Sequence, residues 1–435
     1  MVEKSIGLRY KMTEIGEIPE GWEISSINKT SLLKGRIGWQ GLTTKEYLKN
    51  GEYYLVTGTE FKDGTIDWLK CNFVSKERYN QDSNIQIKIN DILVTKDGTI
   101  GKVAFVDSLI LPATLNSGVF VIRPVKNSYF PKFLYYILQS KYFKRFIGTL
   151  KAGSTISHLY QYSFSNFAFP NPALLEQQKI AEILSHVDNL LESLDALISK
   201  KKNIKQGLMQ TLLTKGIGHT KFKTSEIGEI PEEWSIKSIS ECGIPVSNID
   251  PSIFSHSYFK YIDVSGISSE KLVIVDTKEI QGIAAPSRAR KEVKEEDIIF
   301  ATVRPYLKRV AIVPKNLDGQ VCSTAFCVVR ANRNEIMPRF LYYYMTFDKF
   351  VIKISGFQTG SAYPAVSDSQ VMSERVPIPK LYEQQKIAEI LSTVDQKLEL
   401  LRNKRTHLEK LKMGLIGDLL TGRVRVKVET SKGEN

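Results

Sequence analysis

The ten-residue string EQQKIAEILS occurs twice in this chain, at 176–185 and again at 383–392, a shift of 207 residues. FLYY at 133–136 returns at 340–343 with the same shift, and EIGEIPEGW at 14–22 returns as EIGEIPEEW at 226–234, a shift of 212. A period near half of a 435-residue chain is far longer than the roughly 20–50 residues of a solenoid unit. One whole module has been duplicated, which predicts two similar binding surfaces in one chain.

Each copy runs in the same order. A Pro- and Gly-punctuated opening, EIGEIPE-W, leads into a long mixed region. There the short apolar runs at 119–122 and 326–329 read as buried strands, and the aromatic-rich segments 129–147 and 338–354 read as helices. Both mixed regions end on a Pro-x-Pro, Pro170-Asn171-Pro172 and Pro377-Ile378-Pro379, a rigid, helix-excluding spacing that marks a predicted domain edge. A long helical pattern follows. Apolar residues stand at 180, 183, 187, 190, 194, 197, 204 and 208, with Lys201 in the skipped position; the second copy has them at 387, 390, 394, 401, 408, 411 and 415, with Lys397 and Lys404 interrupting. This is a heptad seam on helices of about 40 residues and about 60 Å. The stripes match in period, so they are expected to pack on each other. Each helix leaves its own head, which makes them antiparallel. The expected fold is α+β: two similar mixed α/β domains separated by two long antiparallel helices in a coiled coil, a pseudo-two-fold internal repeat. The expected boundaries are 1–172, 173–217, 218–380, 381–422 and a basic, polar tail at 423–435.

Charge narrows the partner. The formal net charge is +13, and 199–223 holds seven lysines and no acid. Such an excess favours a polyanion, most often nucleic acid. The four cysteines, Cys71, Cys242, Cys322 and Cys327, form no CxxC pair and only five histidines accompany them, so free core thiols are expected and a structural zinc site is not. No apolar run reaches bilayer length and the first residues lack a signal-peptide core, so a cytoplasmic protein with no membrane partner is expected. Catalytic motifs are missing as well. Gly98-Thr99-Ile100-Gly101-Lys102 has the wrong spacing for a phosphate-binding loop, and Asn171-Pro172-Ala173-Leu174 lacks half of the Asn-Pro-Pro-aromatic motif of adenine methyltransferases. Glu292-Val293-Lys294 with Asp276 upstream matches a nuclease pattern no better than chance. A binding protein is expected, not an enzyme.

The duplication, the EQQKIAEIL helix openings, the IGEIPE-W segments, the helix-end strings LLT at 212–214 and LLTG at 419–422, and basic heads that differ from each other together resemble the specificity (S) subunit of type I restriction–modification enzymes, over nearly the whole chain. The resemblance implies that each head is a target recognition domain reading one half of a bipartite, asymmetric double-stranded DNA site. It implies that the helices set the gap and dock two adenine-methyltransferase (M) subunits, through which motor–nuclease (R) subunits join. S-adenosylmethionine, ATP and Mg would then belong to the partners; this chain would carry no cofactor, no metal and no catalytic residue. The alternatives are a stand-alone sequence-specific DNA-binding protein and the specificity subunit of a restriction–modification enzyme outside type I.

Candidate DNA contacts lie in loops where the heads differ. In head one a strand at 91–94 leads into 95–102, where Thr95 and Thr99 offer hydroxyls, Lys96 and Lys102 charge, and two glycines allow close backbone approach; an ordinary hairpin turn is the bland alternative. In head two the matching strand, 297–300, leads to Arg304, Tyr306, Lys308 and Arg309, with arginine suited to guanine. A second loop precedes each Pro-x-Pro: Lys151, Ser154, Thr155 and Ser157 in head one, Gln358, Thr359, Ser361 and Tyr363 in head two, with Gln358 suited to adenine. Arg288 and Arg290 form a further basic loop. The aromatic FLYY strings are expected in the core. In the repeated decamers, Glu176, Gln177, Gln178, Lys179 and Glu182, with Glu383, Gln384, Gln385, Lys386 and Glu389, are not needed for the seam. They read as exposed, and their identity in both copies points to one kind of partner bound twice.

Overall fold

The computed structural model describes residues 2–4, 9–151, 158–254, 256–360 and 364–427. It divides into two compact units, 1–194 with 404–435, and 195–403.

In the first unit a four-stranded antiparallel sheet runs in the order Val103–Phe105, Ile92–Thr95, Val119–Pro124, Ser31–Gly35. A three-stranded sheet stands beside it, with Ala113–Leu115 parallel to Tyr53–Val56 and Asn72–Val74 antiparallel to that. Side chains alternate across a strand. Ile92, Val94, Phe120 and Ile122 therefore enter one core with Phe133 and Tyr136, while Leu93, Val119 and Val121 enter another with Tyr54, Val56 and Trp68. Burial on both faces is why the run VFVI is continuously apolar. The second unit repeats the plan with Gly243–Ile244, Phe326–Ala331, Ile298–Ala301 and Val310–Ile312 in one sheet, and a second sheet in which Tyr258–Ile262 lies parallel to Gln320–Ser323. One ion pair is repeated: Arg123 meets Asp91 at 2.6 Å and Arg330 meets Asp297 at 2.7 Å, tying a central strand to the residue before its neighbour.

The aromatic segments are each two helices. Pro131–Gln139 and Lys141–Lys151 break at Ser140, whose hydroxyl donates to the Ile137 carbonyl at 2.7 Å and accepts the Tyr142 N–H at 3.2 Å. Pro338–Thr346 and Asp348–Ser355 break at Phe347. Phe133, Leu134, Tyr135 and Tyr136 are buried, as are Phe340 to Tyr343, so both strings are core. The Pro-x-Pro segments are strand ends: Ala168–Asn171 pairs with Glu23–Ser26, and Arg375–Ile378 with Ser235–Ser238. Two-stranded ribbons are all edge, so a proline without an N–H fits there.

The long helices are Leu174–Leu212 and Leu381–Leu419. Within each unit their segments run antiparallel. In the first, Asp188 meets Lys412 at 2.6 Å while the earlier Glu176 meets the later Arg425; in the second, Lys205 meets Asp395 at 2.6 Å while the later His219 meets the earlier Glu383. The seam differs from the expected one at its later intervening positions. Ile180, Leu184, Val187, Leu194 and Leu208, with Leu391 in the second copy, face inward as expected, and Lys201 is part-buried; the further intervening positions are Leu191, Ile198 and Lys205, with Leu398, Arg405 and Lys412 in the second copy. Leu190, Leu197, Ile204, Ile390 and Leu411 are exposed. Adjacent apolar residues such as Leu190–Leu191 and Leu197–Ile198 left two frames open. The frame realised admits cations because carboxylates meet them: Lys205 stands between Asp395 and the Tyr343 ring, and Lys412 between Asp188 and the Tyr136 ring. Lys397 and Lys404, expected to snorkel out or to sit at the seam edge, are exposed.

The segment expected as a tail from 423 begins as structure: Val424–Val426 pairs antiparallel with Val2–Lys4. Among the described residues no helix is long and apolar enough to cross a membrane.

Candidate nucleic-acid interface

In head one the chain leaves the strand Ile92–Thr95 into a closed turn. The Thr95 hydroxyl donates to the Thr99 carbonyl at 2.6 Å and accepts the Lys102 N–H at 2.9 Å. Thr95 is 4% exposed, so it clamps the turn and is withdrawn from the set of contact residues. Gly98 and Gly101 take φ of +65° and +82°, conformations in which a side chain is strained. Thr99 and Lys102 are exposed. Lys96 is half-buried with its ammonium 5.0 Å from the Phe120 ring centroid; burial lowers its pKa, with Asp97 opposing. The structure joins the two loops that the sequence offered separately. Asp97 and His158 form a backbone bridge and a side-chain pair, and the Leu159 N–H donates to the Lys96 carbonyl at 2.7 Å. Ser154, Thr155 and Ser157 lie outside the described residues; Lys151 is the last residue of its helix.

Head two repeats this joint, with Val303 bridged to Ala365 and the Arg304 N–H donating to the Pro364 carbonyl at 2.8 Å. Arg304 and Lys308, at φ of +50° and +51°, flank the short turn Pro305–Leu307. Arg304 and Tyr306 are exposed. Lys308 and Arg309 are engaged within the protein, Lys308 with Asp348 and Arg309 with the Val264 carbonyl at 3.1 Å. Burial lowers the Lys308 pKa. Gln358 is part-buried, and one amide hydrogen is held by the Ser355 carbonyl at 2.6 Å. Thr359 is exposed, and its backbone pairs with Ala365 around Gly360 at φ +90°. Ser361 and Tyr363 lie outside the described residues. Arg288 is exposed, while Arg290 is half-buried and pairs with Asp250 at 3.5 Å.

Two further loops of head one, not singled out in the sequence, stand at the same joint. The Lys96 N–H donates to the Gly118 carbonyl at 2.9 Å. A Cβ on Gly118 would lie 3.8 Å from both Asp97 and the Thr57 carbonyl, and one on Gly58 would meet Thr95 at 2.5 Å. The loops 57–60 and 116–118 thus border 95–102. Their signal was the clustering of small hydroxyl and amide residues, Thr-Gly-Thr and Asn-Ser-Gly, at strand ends.

The repeated decamers divide into two kinds of residue. Glu176, Gln177, Glu383 and Gln384 are buried, which corrects their expected exposure. Glu176 accepts the Trp22 indole N–H at 3.1 Å and is held by Arg425 at 2.5 and 2.7 Å. Glu383 accepts the Trp234 indole N–H at 3.1 Å and the Ile217 N–H at 2.9 Å, with His219 at 2.9 Å. Gln177 accepts the Phe130 N–H and donates to the Pro172 carbonyl, both at 2.8 Å; Gln384 does the same with Met337 at 2.7 Å and Pro379 at 2.8 Å. A polar group is buried only with partners, and these four fasten each helix start to its head. Gln178, Lys179 and Glu182 are exposed, as are Gln385, Lys386 and Glu389. The cysteines are buried; burial pushes the thiols of Cys71, Cys322 and Cys327 up to about 12 and that of Cys242 up to about 11. Among the described residues, no group of three or more His, Cys, Asp or Glu is placed to hold a metal ion.

Two mixed α/β heads, each fastened to the start of a long helix by the same Trp–Glu contact, define an internally duplicated recognition protein. The family model for the type I restriction modification DNA specificity domain matches residues 19–205 and 231–410, and the chain belongs to that family. A Methanocaldococcus jannaschii protein bearing the name of the type I restriction enzyme MjaX specificity subunit is 30% identical over 433 residues, covering 96% of this chain and 97% of that protein. The type I restriction enzyme MjaVIII specificity subunit of the same organism is 28% identical over 432 residues, 94% of each. The crystal structure of the type I restriction-modification S subunit from M. genitalium shares the fold, with a TM-score of 0.55 at 18% identity over 92% of this chain and 96% of that one.

Proposed function

We propose that each head reads one half of a bipartite, asymmetric DNA target, and that the long helices set the unread gap. The observation that carries this is the repeated joint. In each head a loop after the central sheet strand is bridged to a loop before the long helix, Asp97 to His158 and Val303 to Ala365. The backbone plan is shared, and the side chains differ, lysine and threonine in one head and Arg304, Tyr306 and Gln358 in the other. Phosphate contacts position a protein on the duplex, and groups aimed at base edges specify. The exposed identical residues Gln178, Lys179 and Glu182, with Gln385, Lys386 and Glu389, form matching docking faces for two methyltransferase subunits, and motor–nuclease subunits join through those. S-adenosylmethionine, ATP and Mg act in the partners; this chain contributes recognition and no catalysis, in the cytoplasm.

The test is methylome sequencing of a strain carrying this chain with its methyltransferase. The expected result is a split adenine-methylated motif with a fixed gap. Insertion or deletion of a few residues in 190–208 should change the gap and keep both half-sites. Altered half-sites with an unchanged gap would overturn the assignment of recognition to the heads.

A further inference from the structure

Thr57, Thr59 and Glu60 form a closed hydrogen-bond circuit at the head-one joint. Glu60 is 3% exposed. Its oxygens accept the Thr57 N–H at 2.9 Å, the Gly58 N–H at 3.1 Å, the Thr57 hydroxyl at 2.8 Å and the Thr59 hydroxyl at 2.7 Å. A carboxylate accepts and does not donate, so each hydroxyl contact needs its proton on the threonine. The two hydroxyl oxygens also lie 2.8 Å apart. A hydroxyl has one proton, and these inward contacts use both. Thr59 is exposed, and with its proton committed inward its oxygen has only lone pairs to offer a further neighbour.

We propose that Thr59 is an acceptor-only reader of an exocyclic amino group in the major groove, N6 of adenine or N4 of cytosine, and that Glu60 is the positioning residue that imposes this polarity. The proposal rests on head one being a DNA-reading surface. A freely rotating threonine hydroxyl contacts donors and acceptors alike. One whose proton is committed inward meets the oxygens O6 of guanine and O4 of thymine lone pair to lone pair, and rejects them. The place is right for such a role, since Thr57 adjoins Gly118, whose carbonyl holds the Lys96 N–H. At the same strand end in head two the arrangement is unlocked: Asp263 is half-exposed and the Ser265 hydroxyl reaches it only at 3.5 Å. Head one thus commits its hydroxyl at this position, and head two leaves the matching hydroxyl able to turn.

The experiment uses the full chain with its methyltransferase subunits, once the target is known. Duplexes are prepared in which each adenine is replaced in turn by purine, which lacks the 6-amino group, and each cytosine by 2-pyrimidinone. Wild type is expected to lose about tenfold in affinity at one base pair of the head-one half-site, the scale of a single base contact. Thr59→Val should lose the same factor on the natural target and be indifferent to the analogue there; Thr59→Ser should behave as wild type. Glu60→Gln can donate to a threonine oxygen and turn a hydroxyl proton outward, and should shift the selected base at that pair towards thymine or guanine. If Thr59→Val responds to every analogue as wild type does, Thr59 is no reader. If Glu60→Gln folds and keeps the same selected base, Glu60 does not set the polarity. A wild-type chain that selects no sequence at all refutes the DNA-reading assignment itself, a result distinct from either.

Discussion

Glu176 and Glu383 occupy one socket built twice, and they differ in what closes it. Both accept an indole N–H at 3.1 Å, from Trp22 and Trp234. The first is closed by the bidentate Arg425 guanidinium, the second by His219 and the Ile217 N–H. These partners follow different helix ends, so they diverged while the glutamate and tryptophan did not. What the socket requires is a buried acceptor at a fixed place, with donors supplied by whatever chain passes. The joints at the loops teach the converse. There the backbone bridges repeat and the side chains differ, as suits surfaces that grip DNA in the same way and read different bases.

Removing the acceptors breaks this comparison most strongly. Glu176→Ala leaves a guanidinium and an indole N–H without their partner and should cost about 3 kcal/mol. Glu383→Ala orphans an indole and a backbone N–H and should cost about 2 kcal/mol. Denaturant midpoints followed by tryptophan fluorescence measure both, and a larger loss at Glu383 would show that the arginine adds nothing. In head two, Arg304→Ala and Gln358→Ala should each relax one base pair by roughly 1–3 kcal/mol, seen as a changed consensus in binding selections. Lys96→Ala in head one should instead weaken all duplexes alike and lower the salt slope by about one unit; a changed consensus would place Lys96 on a base.

The helices offer a finer test. Tyr136 donates to Asp188 at 2.7 Å beside Lys412, and Tyr343 to Asp395 at 2.9 Å beside Lys205. Double-mutant cycles on Lys412/Asp188 and Lys205/Asp395 should give equal couplings of about 1 kcal/mol. Unequal values would mean that the two copies no longer do the same work. The smallest expected effect on stability is at the exposed repeated residues. Lys179→Ala and Lys386→Ala should each change it by under about 0.5 kcal/mol while weakening capture of the methyltransferase subunit. Unchanged capture by the double variant would remove these residues from the docking face.

Much of the fold was legible because its signals are local or repeated. VFVI and FCVV are short apolar runs, and they are central strands; EQQKIAEILS opens a heptad pattern, and both helices are 39 residues long. The loops at 95–102 and 301–309 were visible as glycine- and lysine-bearing or arginine-bearing turns after those strands. Their union with the loops before the helices was not, because the bridge from Asp97 to His158 spans 61 residues and nothing in either string names the other.

The order of the elements, the duplication and the presence of a seam were determined by sequence alone, since periodicity is a property of neighbours along the chain. Tertiary structure decided which of two adjacent leucines enters the seam and whether Glu176 is a surface charge or a buried anchor. Each of those depends on a partner that folding brings up from elsewhere: Arg425 reaches Glu176 across 249 residues, and Trp22 reaches it across 154. Burial belongs to such meetings, and no window of sequence contains it.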